Sequence, residues 1–313
     1  MIGKTLYFSQ AVYLSIRNEL LVARFEGQDI PLEIQERLNS KNEITFALSE
    51  VAYLVLDNPQ ITLTQAVFEV CMKENVAIVT CDSAHIPTGL CLALHSNVLQ
   101  TERYREQIHA PDMLKKQLWA QVIKQKIINQ GRVLCAWQPK YDIAYFQTLS
   151  KAVKNGDISN CEATAANFYW ARLFSQIPGF IRRREGMPPN NLLNYGYAIL
   201  RAITARAIVA TGLLPTLGLH HTNRYNPYCL ADDMMEAYRP YVDHLVCQII
   251  NQFGIPEQLD KNIKARLLQI PYIDVHFRDE VSPLMNGVQK TIHSLYRCFV
   301  GEDRKLYLPE IEL

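Results

Sequence analysis

The chain has 313 residues, of which 49% are hydrophobic and 20% are charged, a balance typical of a globular protein with room for two cores. No run approaches the roughly 18 uninterrupted apolar residues of a membrane-spanning helix, and the first residues lack the zones of a secretory signal peptide. These absences predict a cytoplasmic protein without a membrane partner. None of the eight cysteines has the pair spacing of a zinc knuckle or redox motif, which predicts reduced thiols.

The formal net charge of +1 hides an uneven distribution along the chain. Residues 1–100 carry a net charge of −5, residues 101–220 carry +9, and residues 221–313 carry −3. A positive segment of this size is typical of a surface that binds a polyanion, although a solvated helical face gives a similar count. Nucleic-acid binding is therefore one hypothesis for the middle of the chain.

Short segments of alternating apolar residues predict a β domain over residues 1–95. The predicted strands are 4–9, 12–16, 20–25, 43–46, 51–56 and 77–81. Turn residues separate them at 27–29 and 57–59, and a helical apolar period over 62–75 predicts one crossing helix. Residues 96–105 have little periodicity and are predicted to be a linker.

From residue 106 to residue 313 the pattern is helical. The first predicted helix opens at Pro111 and ends at Gly131, with lysines 115, 116, 124 and 126 around its polar side. The later helices are predicted at 141–153, 159–175, 190–211, 231–253 with an interruption at Pro240, 259–268 and 283–299. Strands followed by helices favour an α+β fold, with a small N-terminal β-sandwich-like domain before a larger all-helical C-terminal domain.

A polar loop with two histidines, residues 218–227, leads into a predicted helix that carries Asp233 and Glu236. Their spacing of three places both carboxylates on one helical face, within reach of a histidine from the loop. Carboxylate oxygens with one imidazole nitrogen suit Mg²⁺ or Mn²⁺. Acidic residues in a first helical turn are also favoured by the helix dipole, so both interpretations stay open.

Glu162 is a second acidic candidate. It ends the sequence Ser-Asn-Cys-Glu at 159–162, which fits a capping box in which the glutamate bonds back to the Ser159 amide. Small residues at 163, 165 and 166 would also let another element approach this helix closely. Glu162 is therefore either a cap or a third metal ligand.

Three consecutive arginines, Arg182, Arg183 and Arg184, precede a helix with an unusual polar stripe. Guanidinium groups bind phosphates as bidentate donors. The stripe has spacings of four, three and four, and it consists of Asn190, Asn194, Tyr197 and Arg201. These seven residues are predicted DNA contacts, although a buried structural network would explain the stripe equally well.

Several motifs together resemble one known family. The run at 189–200, the histidine pair that ends the segment 218–221, and the stretch 230–240 are similar to the CRISPR-associated spacer-acquisition integrase, the universal endonuclease subunit of CRISPR adaptation. The resemblance covers nearly the whole chain, since 78–89 looks like the end of the family's β domain and 306–309 fits its tail. The histidine loop looks most like that of type II systems.

The resemblance implies that Glu162, His221 and Glu236 hold Mg²⁺ or Mn²⁺, with Asp233 as a further catalytic acid. His221 is preferred over His220 because the family's histidine ligand lies fifteen residues before the acidic ligand. Many relatives have aspartate where Glu236 stands, and type II relatives are similar to this chain in having glutamate.

The resemblance also implies an activity and partners. The expected enzyme is a metal-dependent DNA endonuclease and integrase that joins 3′-hydroxyl ends of short foreign DNA fragments into the CRISPR repeat, next to the leader, by transesterification. The expected partners are double-stranded DNA, a second copy bound through the β domain, a small ferredoxin-like subunit completing a heterohexamer, and other CRISPR effector proteins. From the residues alone, a catalytically silent DNA-binding scaffold and a stand-alone metallonuclease for branched DNA stay open.

Overall fold

The computed structural model describes residues 3–25, 35–95 and 97–313, so the turn predicted at 27–29 lies outside the described residues. The chain divides into two compact units, Met1–Val98 and Leu99–Leu313. The division falls inside the segment predicted as a linker, but the end of that segment belongs to helix α2 (Gln100–His109). This helix is so polar that apolar periodicity does not reveal it; its one buried residue, Gln107, bonds to the Leu214 carbonyl.

The described residues of the first unit include two four-stranded sheets and the helix α1 (Gln65–Lys73). One sheet has the order β1 (Lys4–Phe8), β5 (Val51–Leu56), β7 (Ala77–Cys81), β8 (Pro87–Cys91), and the other β4 (Glu43–Ala47), β3 (Leu20–Phe25), β2 (Val12–Arg17), β6 (Thr62–Leu63). Strands β1, β5 and β7 are parallel, and β8 is antiparallel to β7. In the other sheet only the β2–β6 pair is parallel.

One core joins the two sheets of this unit. All six residues of β5 are buried, as expected for a parallel strand between two neighbours. Helix α1 (Gln65–Lys73) adds Val67 and Cys71 to a core that contains residues of both sheets, among them Phe8, Leu14, Leu21, Leu54 and Ile78. The predicted β-sandwich-like architecture is confirmed.

The second unit, all of whose residues are described, is helical apart from a small hairpin of β9 (Asp274–His276) and β10 (Val281–Pro283). Its remaining helices are α3 (Asp112–Trp137), α4 (Ala144–Ala152), α5 (Cys161–Leu173), α6 (Asn190–Ala210), α7 (Cys229–Met235), α8 (Arg239–Phe253), α9 (Lys261–Leu267) and α10 (Leu284–Phe299). The predicted α+β class is confirmed. Among the described residues, no helix combines the length and apolarity that crossing a membrane requires.

Helix α3 is central to this unit, since α4, α5 and α8 pack against it. The prediction that it ends at Gly131 is wrong, because the helix continues to Trp137. Gly131 lies where α4 approaches, and a Cβ there would stand 2.8 Å from Cβ and Cγ of Phe146. The glycine therefore marks a close helix contact and not a helix end.

The helix predicted over 231–253 is two helices. The chain breaks at 236–238, and Pro240 lies in the first turn of α8. A proline is tolerated there because the first amides of a helix have no intrahelical acceptor. The break ends α7 at Met235, with Glu236 as its C-cap residue, and the Glu236 carboxylate contacts Lys126 on α3.

Candidate metal and DNA site

Two of the predicted ligands meet at a buried lysine. Lys126, from the middle of α3, places Nζ 2.6 Å from Oε1 of Glu162 on α5 and 2.6 Å from Oε2 of Glu236. The two carboxylate oxygens are therefore no further apart than twice that distance. Helices α3 and α5 and the end of α7 thus bring together side chains that are distant in sequence, as the resemblance implied.

Glu236 is almost completely buried and lies among cations. Its Oε1 is 3.0 Å from Nε of Arg239, and its Oε2, although close to Lys126, has no partner with the geometry of a hydrogen bond. Burial alone raises the pKa of Glu236, but the charges of Arg239 and Lys126 outweigh it and hold that pKa below its ordinary value. The carboxylate is ionised and has one oxygen without a directional partner.

Asp233 has no exposed surface and bonds to His221. Its carboxylate accepts hydrogen bonds from the amides of Leu219 and His220 at 2.6 and 2.9 Å, and from Nδ1 of His221 at 2.5 Å. The last bond is the main reason that the pKa of His221 is raised above its ordinary value. This bond orients the His221 ring and leaves its Nε2 for a ligand, while the catalytic role expected for Asp233 stays a prediction.

The indole ring of Trp119 also contacts the histidine loop. Trp119 on α3 is buried and stacks on His220 with ring centroids 4.6 Å apart and an interplanar angle of 1°. It also meets His221 edge to face at 5.7 Å. His220 therefore packs, while His221 keeps the orientation set by Asp233.

The His221 side chain lines a cleft of about 800 Å³. The loop residues 216–218 and 221–227 form most of its wall, and Lys115 contributes a cation. Arg224 and Tyr225 are exposed on this wall, and the guanidinium carbon lies 5.2 Å from the centre of the tyrosine ring. The cleft is open and partly cationic beside a candidate ligand, and its lining is more apolar than polar.

The capping alternatives for the acidic residues are wrong. Asp157, and not Ser159, caps α5, because its carboxylate accepts from the amides of Cys161 and Glu162 at 3.0 and 2.9 Å. Helix α7 ends at Met235 and does not continue to Phe253 as predicted, so Glu236 stands at its C-terminal end, where the helix dipole disfavours an anion. Neither Glu162 nor Glu236 is explained by helix capping.

Carboxylates and an imidazole are donor types that suit a divalent cation, but in their present positions these side chains do not form a complete set of ligands. Two carboxylates converge on one positive charge, and Glu236 lowers the energy of positive charge on His221. In the described part of the chain, however, no three histidine, cysteine, aspartate or glutamate side chains are close enough to hold an ion. Lys126 fills the space between the carboxylates, so a metal requires this lysine to move.

Part of the predicted DNA-contact stripe lies inside the protein. The Arg182 guanidinium donates to Oδ1 of Asn190 at 2.8 Å and to Oδ1 of Asn194 at 2.9 Å. Asn190 has no exposed surface, and Asn194 also donates to the Arg184 carbonyl at 2.6 Å. The prediction of a DNA contact is wrong for Asn190, and Arg182 and Asn194 use their polar atoms to fix the segment before α6.

Tyr197 is buried as well, and the prediction that it contacts DNA is wrong. Its hydroxyl donates to Oδ1 of Asp243 at 2.5 Å. The guanidinium carbons of Arg182 and Arg239 lie 5.3 and 4.8 Å from the centre of its ring. The structural network that the sequence left open is the correct interpretation for this part of the stripe.

The remaining candidates for DNA contacts differ in their surroundings. Arg183 and Arg184 are exposed, and neither forms an ion pair within the described residues. Arg201 is bidentate to Asp232, with distances of 2.6 and 3.0 Å. Arg183 and Arg184 therefore stay predictions as phosphate contacts, while the charge of Arg201 is partly neutralised.

Sequence reasoning missed Lys126 and Arg239. Lys126 was predicted on the solvated side of its helix, which is wrong, because it lies in the buried stripe with Val122, Ile123 and Ile127. A lysine three and four residues after buried apolar residues was the available signal for an internal partner. Arg239 has no comparable signal, since its contact with Glu236 depends on the break before α8.

A family model decides the relationship of this chain. The model described as CRISPR associated protein Cas1 matches residues 6–269. The chain belongs to this family. A curated relative, the CRISPR-associated endonuclease Cas1 of Neisseria meningitidis serogroup C, is 31% identical over 91% of this chain and 94% of its own length. A second Cas1 endonuclease, from Pyrobaculum aerophilum, is 28% identical over 81% of this chain and 89% of its own length.

Solved structures of Cas1-like proteins share the fold. A casposase bound to integration product has a TM-score of 0.78 at 20% identity, covering 100% of this chain and 95% of its own. A Cas1 protein from Thermotoga maritima has a TM-score of 0.70 at 17% identity, covering 99% and 100%. A chain of a Cas6-RT-Cas1–Cas2 complex has a TM-score of 0.74 at 16% identity, and 36% of that chain is covered.

Proposed function

We propose that this Cas1-family protein is a metal-dependent DNA endonuclease and integrase of CRISPR adaptation, which joins 3′-hydroxyl ends of short DNA fragments into the CRISPR repeat. The observation that carries the proposal is the convergence of Glu162 and Glu236 on one buried cation. Curated relatives are named endonucleases, and a structural neighbour is a casposase with its integration product. A silent scaffold would gain little from this cluster, because replacing a buried ion pair by apolar side chains is often neutral or stabilising.

The residues have separate roles in this proposal. Glu162, Glu236 and Nε2 of His221 would hold Mg²⁺ or Mn²⁺, and the bound ion would supply stabilisation of the charge that builds on phosphodiester oxygens. Asp233 keeps Nδ1 of His221 protonated and the ring oriented. Arg239 pairs with Oε1 of Glu236 and fixes the position of that oxygen.

We further propose that the protein acts as an assembly in the cytoplasm. The named complexes of structural neighbours contain Cas2 and DNA, which supports double-stranded DNA and a small adaptation subunit as partners. A homodimer through the β unit, a heterohexamer with that subunit, other CRISPR effector proteins and a type II origin are parts of the same proposal.

Integration of 3′-hydroxyl duplex fragments into a supercoiled plasmid carrying the repeat tests the proposal. We expect Mg²⁺ or Mn²⁺ to be required and Glu162→Gln, His221→Ala and Glu236→Gln to lose activity by at least about 100-fold. Glu102→Gln removes an exposed carboxylate from α2 and serves as the control. Full activity in the three site variants would reject the assignment, and full-rate cleavage of branched DNA without partners would favour a stand-alone nuclease.

A further inference from the structure

Lys126 occupies the point on which the two carboxylates converge. Its side chain is 9% exposed, and its Nζ donates a hydrogen bond to Oε1 of Glu162. The second contact, to Oε2 of Glu236, is equally short at 2.6 Å but lacks hydrogen-bond geometry. The ammonium therefore has a hydrogen bond to Glu162 and an electrostatic contact with Glu236.

The cluster is electrically balanced as it stands. A carboxylate oxygen stands 2.6 Å from Nζ of Lys126 on each side, and this geometry favours the charged ammonium. Glu162 and Glu236 contribute two negative charges, and Lys126 and Arg239 contribute two positive ones. A divalent cation added to this arrangement would leave a buried excess of two positive charges, which is strongly unfavourable.

Of the two cations, Lys126 is the one able to leave. Arg239 is packed on the ring of Tyr197 and pairs with Oε1 of Glu236, whereas Lys126 contacts the other oxygen, Oε2. Lys126 stands between the carboxylates on a flexible four-carbon stem. Its departure would free Oε1 of Glu162 and Oε2 of Glu236 together.

We propose that Lys126 is a positioning residue that takes the place of the divalent cation in the metal-free protein and yields that place when the ion binds. This inference rests on the proposed function. The lysine keeps Glu162 and Glu236 turned toward each other before the metal arrives, and in exchange it weakens metal affinity. Metal binding and the position of one lysine are thereby coupled.

Lys126→Met tests this coupling, because methionine keeps the stem and removes the charge. We expect Mn²⁺, followed by the electron paramagnetic resonance signal of the free ion, to bind at least about tenfold more tightly to the variant. We also expect the metal-free variant to melt at a lower temperature than the wild type and to recover on addition of Mn²⁺. Lys124→Met changes an exposed lysine on the same helix and should alter neither measurement.

The outcomes separate this inference from the proposed function. Glu236→Gln, made in both the wild-type and the Lys126→Met protein, identifies the site at which Mn²⁺ binds. If the wild type loses Mn²⁺ affinity with Glu236→Gln but Lys126→Met binds no more tightly than the wild type, only the inference about Lys126 fails. If Glu236→Gln changes Mn²⁺ binding in neither background, both the inference and the metal-dependent function are overturned.

Discussion

Buried carboxylates in the helical unit are stabilised in two different ways. Glu236 lies beside cations, whereas Asp243 accepts hydrogen bonds from the hydroxyls of Tyr169 and Tyr197 at 3.0 and 2.5 Å. Burial raises the pKa of Asp243 to about 6, and the two hydrogen bonds oppose this rise without cancelling it. Asp243 therefore holds a proton in a pH range where an exposed aspartate is ionised.

We expect the stability of the wild type to fall, relative to Asp243→Asn, as the pH rises from about 4 to about 6. The folded protein keeps a proton on Asp243 up to a pKa of about 6, while the unfolded chain releases it near 3.8, so ionisation favours unfolding between these values. Asparagine cannot titrate and keeps the shape. The free energy of unfolding should decline by roughly 1–3 kcal/mol against the variant. Urea unfolding at stepped pH measures it, and a difference independent of pH would contradict a protonated Asp243.

At the scale of elements, helix α3 determines where the site forms. It carries Trp119 against the histidine loop, Lys126 between the carboxylates, and Gly131 against α4. Trp119 and Lys126 are seven residues apart, close to two helical turns, so they lie on one face of the helix, while Gly131, five residues further on, lies on a different face. A shift of α3 relative to α4 would displace Lys126 and Trp119 together.

Gly131→Ala should destabilise the protein even though alanine is the better helix former. Alanine gains about 1 kcal/mol of helix propensity, whereas forcing a Cβ to within 2.8 Å of the fully buried Phe146 ring costs about 1–3 kcal/mol. We expect a net loss of about 1 kcal/mol in the free energy of unfolding, measured by urea denaturation. Combining it with Phe146→Leu should recover part of the Gly131→Ala loss. An increase in stability for Gly131→Ala alone would show that α4 moves aside at no cost.

The elements were more predictable than the contacts between them. Apolar residues within each segment predicted six of the eight described strands of the first unit, because these strands place side chains in its core. Glu162 and Glu236 are 74 residues apart, and only the family resemblance joined them; spacing alone allowed capping equally well. The Asn190 stripe was ambiguous for a different reason, since the same polar side chains serve a buried network and a DNA surface. The burial of Asn190 and Tyr197 distinguishes the buried network from the DNA surface, and a single sequence does not reveal burial.

At the scale of the whole molecule, the basic segment, residues 101–220, presents less positive charge at the surface than its composition suggests. The segment has a net charge of +9, but three of its cations are buried or neutralised. Lys126 is buried, Arg132 pairs with Glu310, and Arg201 pairs with Asp232. The exposed arginines Arg183 and Arg184 precede α6 without such partners in the described residues. These two arginines are therefore among the exposed cations of the segment that could contact DNA phosphates.

The double variant Arg183→Gln/Arg184→Gln should weaken DNA binding through its salt dependence. Each phosphate contact contributes about 0.9 to the slope of log affinity against log salt concentration, so losing two contacts should make the slope shallower by about 2. The matched control is Arg37→Gln/Lys41→Gln, which removes two exposed cations from the acidic N-terminal segment and should leave the slope unchanged. Fluorescence anisotropy with labelled duplex from about 50 to 200 mM salt measures both slopes. Within the described residues neither Arg183 nor Arg184 forms an ion pair with Glu162 or Glu236, so Mn²⁺ affinity should be about the same in both double variants. A slope equal to that of the wild type would show that Arg183 and Arg184 do not contact DNA phosphates and that their charges are only solvated.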